Sequence, residues 1–241
     1  MDPAGPVRPV SVSHSPCLCH GDSSRRVVLL ARSFRGYSEL SHLVTRRSLD
    51  PEFDLFAELP GLSPEVIALS DSVEVLEALA RAGRPGGLDY ALLIPSRRRR
   101  RQNRAVYERA RALSLPLTVA CDVKLASPED APLHDLLQAM RRLTTIHQLG
   151  EHERIDPALH FQTEEQIHAF FRLDRPAGPE SDARLRADLE EALASTTRIA
   201  RLCDCRLPLG EWKFPRFDMG NEPPAEALRR MVDQGLRERY G

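Results

Sequence analysis

Between residues 27 and 143, short apolar runs alternate with amphipathic segments of helical periodicity. The apolar runs are continuous, which is typical of strands that are buried on both faces of a sheet. In the segments that follow them, apolar residues recur three or four positions apart, as on one face of a helix. This alternation predicts an α/β fold with a parallel sheet covered by helices. The predicted strands are residues 27–31 (VVLLA), 66–69 (VIAL), 88–94 (LDYALLI) and 115–123 (LPLTVACDV).

Local signals mark the ends of the intervening helices. Ser72 is a candidate N-cap for a helix that stops at Gly83, and Ser96 can begin the next helix. At residues 127–130 (SPED), a cap residue, a proline at the first helical position and two acids form a strong start signal. The predicted helices cover residues 37–47, 72–82, 97–113 and 128–143.

The changing rhythm divides the 241 residues into three parts. Residues 1–25 contain four prolines and no apolar core of signal-peptide length, so we expect a flexible tail on a cytoplasmic protein. Residues 26–150 carry the strand and helix alternation, whereas residues 151–241 form a mixed, helical C-terminal extension. No apolar run reaches the ~18 residues that a membrane span needs, which excludes a transmembrane protein. The formal net charge of −1 means that the overall charge of the chain points to no class of partner.

Five stretches of the chain follow one another in the order found in a known family. They are residues 27–49 (VVLLARSFRGYSELSHLVTRRSL), 66–72 (VIALSDS), 113–140 (LSLPLTVACDVKLASPEDAPLHDLLQAM), 190–207 (EEALASTTRIARLCDCRL) and 235–241 (GLRERYG). Together they resemble the PHP (polymerase and histidinol phosphatase) domain of the bacterial C-family DNA polymerases, namely the DNA polymerase III α subunit and its error-prone relative. The resemblance implies a PHP-type β/α barrel, and the last stretch resembles the end of that region, where the polymerase palm begins.

The resemblance also implies metal ions, Zn or Mn/Mg, held by histidines and carboxylates that activate water against a phosphate ester. This sequence departs from that pattern in four places. The family's opening His-x-His and Asp-His strands should precede residue 27, but His14 and His20 stand in neither pattern, so we expect an incomplete barrel lacking two or three strands. The Ser-Gly-Cys turn reads SDS at 70–72, and the strand that normally ends near a histidine reads LDYALLIPS at 88–96. The Asp-x-His motif reads DVK at 122–124.

The last departure decides our expectation for a metal. The resemblance places Asp122 at a metal-binding aspartate, but Lys124 stands where the ligand histidine should be. A protonated lysine has no lone pair to offer a cation and repels it, so a salt bridge with Asp122 is the favoured arrangement. We therefore interpret Asp122 as vestigial and expect no metal cofactor and no catalytic residue.

A run of arginines follows the third predicted strand. It comprises Arg97, Arg98, Arg99, Arg100, Arg101 and Arg104. In a parallel β/α architecture this is the mouth where ligands bind, and a helix N-terminus adds free N–H donors for an anion. Two interpretations stay open: a phosphate or nucleic-acid contact, or a solvated helix face. No aromatic residue interleaves the run, so base stacking is not indicated.

A zinc cluster is a further candidate. It would combine Cys17, Cys19 and His20 with Cys203 and Cys205 if folding brought the two groups together. Cys-x-Cys is not the usual zinc-ligand spacing, and an odd number of cysteines in a chain of this length does not indicate a disulfide framework. The zinc hypothesis is therefore the less favoured interpretation.

The remaining candidates indicate structural roles. Cys121 lies in an apolar strand and is expected to fill the core. His134 and Asp135 follow on a helix where the family often carries a similar pair, and we expect them to be structural. The aromatic segment at 212–217 (WKFPRF) is expected to anchor onto the domain body.

Two hypotheses for function follow. The favoured one is a non-catalytic PHP-like module that acts in DNA replication or repair as a scaffold or DNA-contacting piece. It would be a stand-alone paralogue or the front piece of a split or truncated polymerase gene, with DNA and the remaining polymerase or replisome subunits as partners. The alternative is an active metal-dependent phosphoesterase or 3′–5′ exonuclease that takes missing ligands from the tail or a partner chain. Either way, a barrel without some of its strands has two sheet edges to cover.

Overall fold

The four predicted strands pair in one sheet, which a short strand from the N-terminal segment extends. The computed structural model describes residues 10–13, 26–84, 88–173, 180–207, 209–210 and 222–241. The strands, in their order across the sheet, are β1 (Val10–Ser13), β2 (Arg26–Ala31), β3 (Val66–Ser70), β4 (Asp89–Leu93) and β5 (Leu117–Val119). The helices are α1 (Phe34–Leu49), α2 (Leu55–Glu58), α3 (Val73–Ala82), α4 (Arg100–Ala112), α5 (Ala131–Arg141), α6 (Glu164–Phe171), α7 (Glu180–Leu202) and α8 (Pro224–Tyr240).

The mixed α/β class is confirmed, and β3, β4 and β5 run parallel as predicted. Leu69 pairs with Tyr90, and Leu92 pairs with Thr118. The described strands form an open sheet with β1 and β5 at its edges. The PHP-type barrel that the resemblance implies therefore stays a prediction.

The expectation of a wholly parallel sheet is wrong for β2, which pairs antiparallel with β3. Its last residue, Ala31, lies opposite the first residue of β3, Val66, and Arg32 N donates to Glu65 O at 2.9 Å. The connection through α1 and α2 therefore returns to the end of the sheet from which it left. Gly36 permits this return, since a Cβ there would lie 2.3 Å from Glu65 O.

Both faces of the sheet are buried, which explains the continuous apolar runs. All five residues of β3 are buried, with Val66 and Ala68 on one face and Ile67 and Leu69 on the other. The first face packs under α1 and α3, and its continuation on β4 and β5 packs under α4 and α7. The second face meets α5 and the loop that carries Ile155.

Helix α7 covers the outer edge of β5. Ser195 Oγ donates to Leu117 O at 2.8 Å, and Thr196 Oγ1 donates to Val119 O at 3.0 Å. These hydroxyls satisfy carbonyl groups that an uncovered edge strand would leave to water or another chain. Part of the predicted extension thus closes one of the two edges.

The compact units of the structure place α7 with the sheet. The structure separates into two compact units, Met1–Leu207 and Pro208–Gly241, so α7 lies in the same unit as the sheet. The reason is that α7 buries Leu189 and Ala192 against the sheet. β1 lies inside the predicted tail and pairs antiparallel with β2, so four residues of that tail join the sheet. In the described part of the chain, no helix has the length and apolarity to cross a membrane.

Candidate functional site

Charged side chains meet beyond the C-terminal ends of the parallel strands. Asp71 follows β3, and Asp122 comes soon after β5. Because β2 is antiparallel to β3, its first residue, Arg26, lies at the same end of the sheet as Asp71 and Asp122. Arg26 Nη1 is 2.8 Å from Asp122 Oδ2, and its Nε is 3.6 Å from Asp71 Oδ1. Arg26 thus bridges two carboxylates that follow different strands. We call the group formed by Arg26, Asp71, Asp122, Arg99 and Lys124 the Arg26 cluster.

Asp122 is held mainly by Arg26, which sequence reasoning missed. Lys124 Nζ lies farther from the same carboxylate, at 3.8 Å, and is about half exposed. The Asp122 side chain is only 16% exposed, so its charge needs a close partner. The sequence feature that could have indicated this partner is the pair of arginines directly before the predicted strand at residues 27–31. The antiparallel direction of β2 must be known to see that Arg26 faces Asp122.

The Ser-Asp-Ser turn after β3 is a hydrogen-bonded junction. Ser70 Oγ donates to Arg26 O at 2.6 Å and accepts from Ser72 N at 3.0 Å. Ser72 occupies the N-cap position of α3 as predicted, but its side chain makes no capping hydrogen bond. Asp71 is buried, and its carboxylate accepts from Arg99 Nη1 at 3.3 Å while Gln102 Nε2 donates to its carbonyl oxygen at 2.8 Å. The turn therefore fastens the start of β2 to the end of β3.

These residues do not fit the metal centre that the family resemblance implies. The Arg26 cluster sets three cations against two carboxylates, which disfavours a further positive charge. Both carboxylates point oxygens at guanidinium groups, and Lys124 supplies no ligand atom while it is protonated. Within the described ranges, no three His, Cys, Asp or Glu side chains come together as a metal site. We derive no reaction step through a metal here.

The arginine run does not form a single face. Its first three members form a 3₁₀ turn before α4. Arg99 turns inward to Asp71, and Arg98 Nη1 donates to Arg154 O at 2.8 Å. Ser96 stands at the N-cap position of this turn, but its hydroxyl bonds the carboxylate of Asp156 instead of a helix N–H. Two of the six arginines are thereby committed to the protein's own polar groups.

The other four arginines face solvent. Arg104 Nε pairs with Glu108 Oε1 at 2.8 Å across one helical turn. Arg97, Arg100 and Arg101 are exposed and make no ion pair with any residue that the structure describes. An anion therefore meets three uncompensated guanidinium groups near the start of α4.

The three cysteines that the structure describes carry thiols that are favoured in the neutral form. Burial raises the pKa of Cys121, of Cys203 and of Cys205, so the neutral thiol is favoured in each case. The other members of the suggested zinc cluster, Cys17, Cys19 and His20, lie outside the described residues, as does the segment at 212–217.

Asp135 has a structural role in the described fold. Its Oδ1 accepts from Ile155 N at 2.9 Å, and its Oδ2 lies 3.5 Å from Arg154 Nη1. His134 Nδ1 is 4.0 Å from the same carboxylate. Asp135 thus fixes the loop that packs on the second face of the sheet.

An apolar cavity of about 640 Å³ lies beside the Arg26 cluster. Its walls include alternate residues of the central strands, among them Leu69, Leu92 and Ile94. The charged groups that line it, Arg26 and Asp122, are paired with each other. The cavity presents an apolar wall and a neutralised rim, and among the described residues it offers no activated nucleophile.

The chain is similar to DNA polymerase III alpha subunits and to error-prone DNA polymerases. DNA polymerase III subunit alpha of Escherichia coli K12 is 27% identical over 161 residues, which is 67% of this chain and 12% of that protein. Error-prone DNA polymerases of Azoarcus sp. BH72 and Aromatoleum aromaticum EbN1 are 30% and 31% identical, over 89% and 90% of this chain and 20% of each relative. This supports the predicted relationship to these polymerases.

The chain spans only 12–20% of the length of these relatives. No protein-family model matches the chain.

Proposed function

We propose that this chain is a PHP-like module, related to the C-family DNA polymerases, that acts in DNA replication or repair without hydrolysing DNA. It contacts DNA through arginines and serves as a scaffold for polymerase or replisome subunits. The similarity to replicative and error-prone polymerases supports the setting in replication or repair.

The observation that carries the non-catalytic part is the pairing of Asp122 with Arg26. The family resemblance makes Asp122 a metal ligand, yet a guanidinium group lies 2.8 Å from its carboxylate. Lys124 adds a second cation at 3.8 Å. A divalent cation would have to displace both positive groups from a carboxylate that is largely buried.

Metal content and nuclease activity test this part directly. The full chain is dialysed against Mn²⁺ or Zn²⁺, its bound metal is measured by mass spectrometry, and hydrolysis of a 3′-labelled oligonucleotide is followed. We expect substoichiometric metal and no hydrolysis above the protein-free blank, in a preparation whose thermal unfolding is cooperative. Stoichiometric metal together with hydrolysis that Asp122→Asn abolishes would establish the active phosphoesterase or exonuclease instead.

The DNA-contacting part is assigned to Arg97, Arg100 and Arg101. They are exposed, adjacent and unpaired with any described residue, so they can approach phosphates without breaking an existing ion pair. Removing three phosphate contacts weakens binding to all sequences alike.

Fluorescence anisotropy with labelled DNA tests this assignment. The triple variant of Arg97, Arg100 and Arg101 to alanine is compared with a control that removes three exposed arginines elsewhere, Arg35, Arg201 and Arg229. We expect the first variant to lose at least about tenfold in affinity at moderate salt, and the control to stay near the parent chain. Equal losses in both variants would indicate a general charge effect and remove the assignment.

A further inference from the structure

A second cavity, of about 760 Å³, lies between α4, α6 and α7. Its residues do not belong to the Arg26 cluster or to the cavity beside it. The volume is in the range of cavities that bind small organic ligands, about 300–1,000 Å³. Apolar side chains from β4, α6 and α7 line it, namely Leu93, Phe170, Phe171, Leu185 and Leu189.

One face of α4 forms the basic wall of this cavity. Arg100, Arg104, Tyr107 and Arg111 recur three or four residues apart and all line it. The opposite face of α4 carries the fully buried Val106. The arginine run therefore leads directly into the cavity, because Arg100 belongs to both.

The charge of the lining is strongly positive. Arg172 and Arg184 join the three arginines of α4, and the one carboxylate among the lining residues is Glu108. Glu108 is already paired with Arg104. Arg172 and Arg184, like Arg100, are exposed and form no ion pair with the described residues. A ligand that carries several closely spaced negative charges fits these unpaired arginines.

Aromatic rings lie within the same cavity. Phe170 and Phe171 pack edge to face with their ring centroids 4.9 Å apart, and both are half-buried. The Arg111 guanidinium lies 5.8 Å from the centroid of the Tyr107 ring, whose hydroxyl donates to Asp188 at 2.7 Å. The rings are thus held in place while part of their surface stays accessible. No aromatic residue interleaves the arginine run in the sequence, but in the folded chain these rings line the same cavity as Arg100 and Arg104.

We propose that this cavity binds one or two nucleotides of single-stranded DNA. A base stacks on the ring of Phe170 or Phe171, and Arg100, Arg172 and Arg184 meet the flanking phosphates. A flat apolar group next to an anionic linkage is the chemistry of a nucleotide, and stacking on aromatic side chains tolerates every base. Paired bases in a duplex cannot enter, so the cavity selects single strands. This inference rests on the proposed DNA-contacting function and names the form of DNA that the chain prefers.

Binding of a fluorescein-labelled twelve-nucleotide oligothymidylate and of a matched duplex tests the preference. Phe170→Leu removes the stacking ring while keeping an apolar side chain, and Phe161→Leu is the control, since Phe161 is 76% exposed and does not line the cavity. We expect Phe170→Leu to weaken single-strand binding about tenfold and to leave duplex binding within about twofold. The control should match the parent chain on both probes.

A double charge reversal tests the same cavity without changing Phe170, whose substitution could weaken DNA binding simply by destabilising the fold. Arg172→Glu with Arg184→Glu changes only exposed side chains, so the thermal unfolding midpoint should stay close to that of the parent chain. We expect the same selective loss of single-strand affinity. Unchanged single-strand affinity in this variant and in Phe170→Leu would overturn the proposal.

Photo-crosslinking locates the bound base. An oligonucleotide carrying 5-iodouracil is irradiated with the full chain, and the modified peptide is identified by mass spectrometry. We expect the adduct on the peptide that contains Phe170 and Phe171. Adducts found only elsewhere would contradict the proposal and leave an acidic protein segment as the ligand class that fits the charge.

The two proposals fail in different ways. If the arginine triple variant loses DNA binding but neither Phe170→Leu nor the Arg172→Glu, Arg184→Glu variant does, the cavity is excluded and the proposed function stands. If the parent chain binds neither single-stranded nor duplex DNA, the DNA-contacting function itself is wrong.

Discussion

Single guanidinium groups organise much of the polar interior of this chain. Arg26 joins Asp71 to Asp122, and Arg84, with 1% of its side chain exposed, pairs with Asp89. Arg84 also donates to Leu62 O at 3.2 Å and to two further carbonyl oxygens. A planar donor with five N–H groups suits such sites better than lysine.

The Arg26 cluster predicts a measurable stability difference. Arg26→Gln leaves Asp71 and Asp122 without their shared partner and should lower the free energy of unfolding by about 1–2 kcal/mol in denaturant titrations. Lys124→Gln is the control, because its ammonium is half exposed and 3.8 Å away, and it should change stability by less than about 0.5 kcal/mol. Equal effects would show that Arg26 is not the main partner of Asp122.

Breaking the buried Arg84 and Asp89 pair should have a larger effect. Asp89→Asn keeps the shape of the side chain but leaves the Arg84 charge uncompensated, so we expect a loss of about 3 kcal/mol. Glu108→Gln, which removes an exposed pair within α4, should be nearly neutral in the same unfolding measurement. A near-neutral Asp89→Asn would mean that the carbonyl oxygens around Arg84 suffice to hold it.

At the scale of single residues, sequence reasoning singled out Asp122, Lys124 and Arg99 of the cluster but not Arg26. Lys124 excluded a histidine ligand without any structure, because its chemistry is local. Arg26 was missed because its distance to Asp122 depends on strand direction. The same limit hid Phe170 and Phe171, which stand far from the arginines in sequence and meet them only across α4.

Elements were predicted well where the local pattern decides them. The helix expected over 97–113 is present as a 3₁₀ turn at Arg97–Arg99 followed by α4 at Arg100–Ala112. The cap signal at residues 127–130 forms a capping box, with Asp130 Oδ2 accepting from Ser127 N at 2.9 Å. Strand direction was not predictable in this way, since it depends on where the connection between two strands ends.

The close approach of α1 to the residue before β3 predicts that a substitution at Gly36 is destabilising. Gly36→Ala places a methyl group against Glu65 O, so α1 or β3 must shift, and we expect a loss of about 1–3 kcal/mol. Gly61→Ala is the matched control, because nothing lies within 4 Å of a Cβ at that position. Thermal unfolding that ranks the two variants equally would contradict the tight approach of α1 to β3.

The cover of β5 by α7 can be weakened without emptying the core. Ser195→Ala combined with Thr196→Val removes two hydroxyl donors from strand carbonyls and should lower stability by about 2 kcal/mol. Ser38→Ala, which removes an exposed hydroxyl bonded within α1, should have almost no effect in the same denaturant titration. A neutral double variant would show that apolar packing alone seals this edge.

On the scale of the whole molecule, the sheet and α7 lie in one compact unit that extends to Leu207. The sequence predicted a mixed, helical C-terminal extension but could not show that α7 packs on β5. The complete unit places the Arg26 cluster at the strand ends and exposes Arg97, Arg100 and Arg101. Both features support the proposal that the chain contacts DNA through guanidinium groups without a metal ion.

The salt dependence of DNA binding in the presence of EDTA tests this account most directly. Affinity for a labelled single strand is measured by anisotropy across a range of salt concentrations, with EDTA and then with Mn²⁺. We predict equal affinity in both, and a log–log salt slope that falls in magnitude by about 2 when Arg97, Arg100 and Arg101 become alanine. Binding that disappears in EDTA and returns with Mn²⁺, or a slope that the triple variant leaves unchanged, would contradict it.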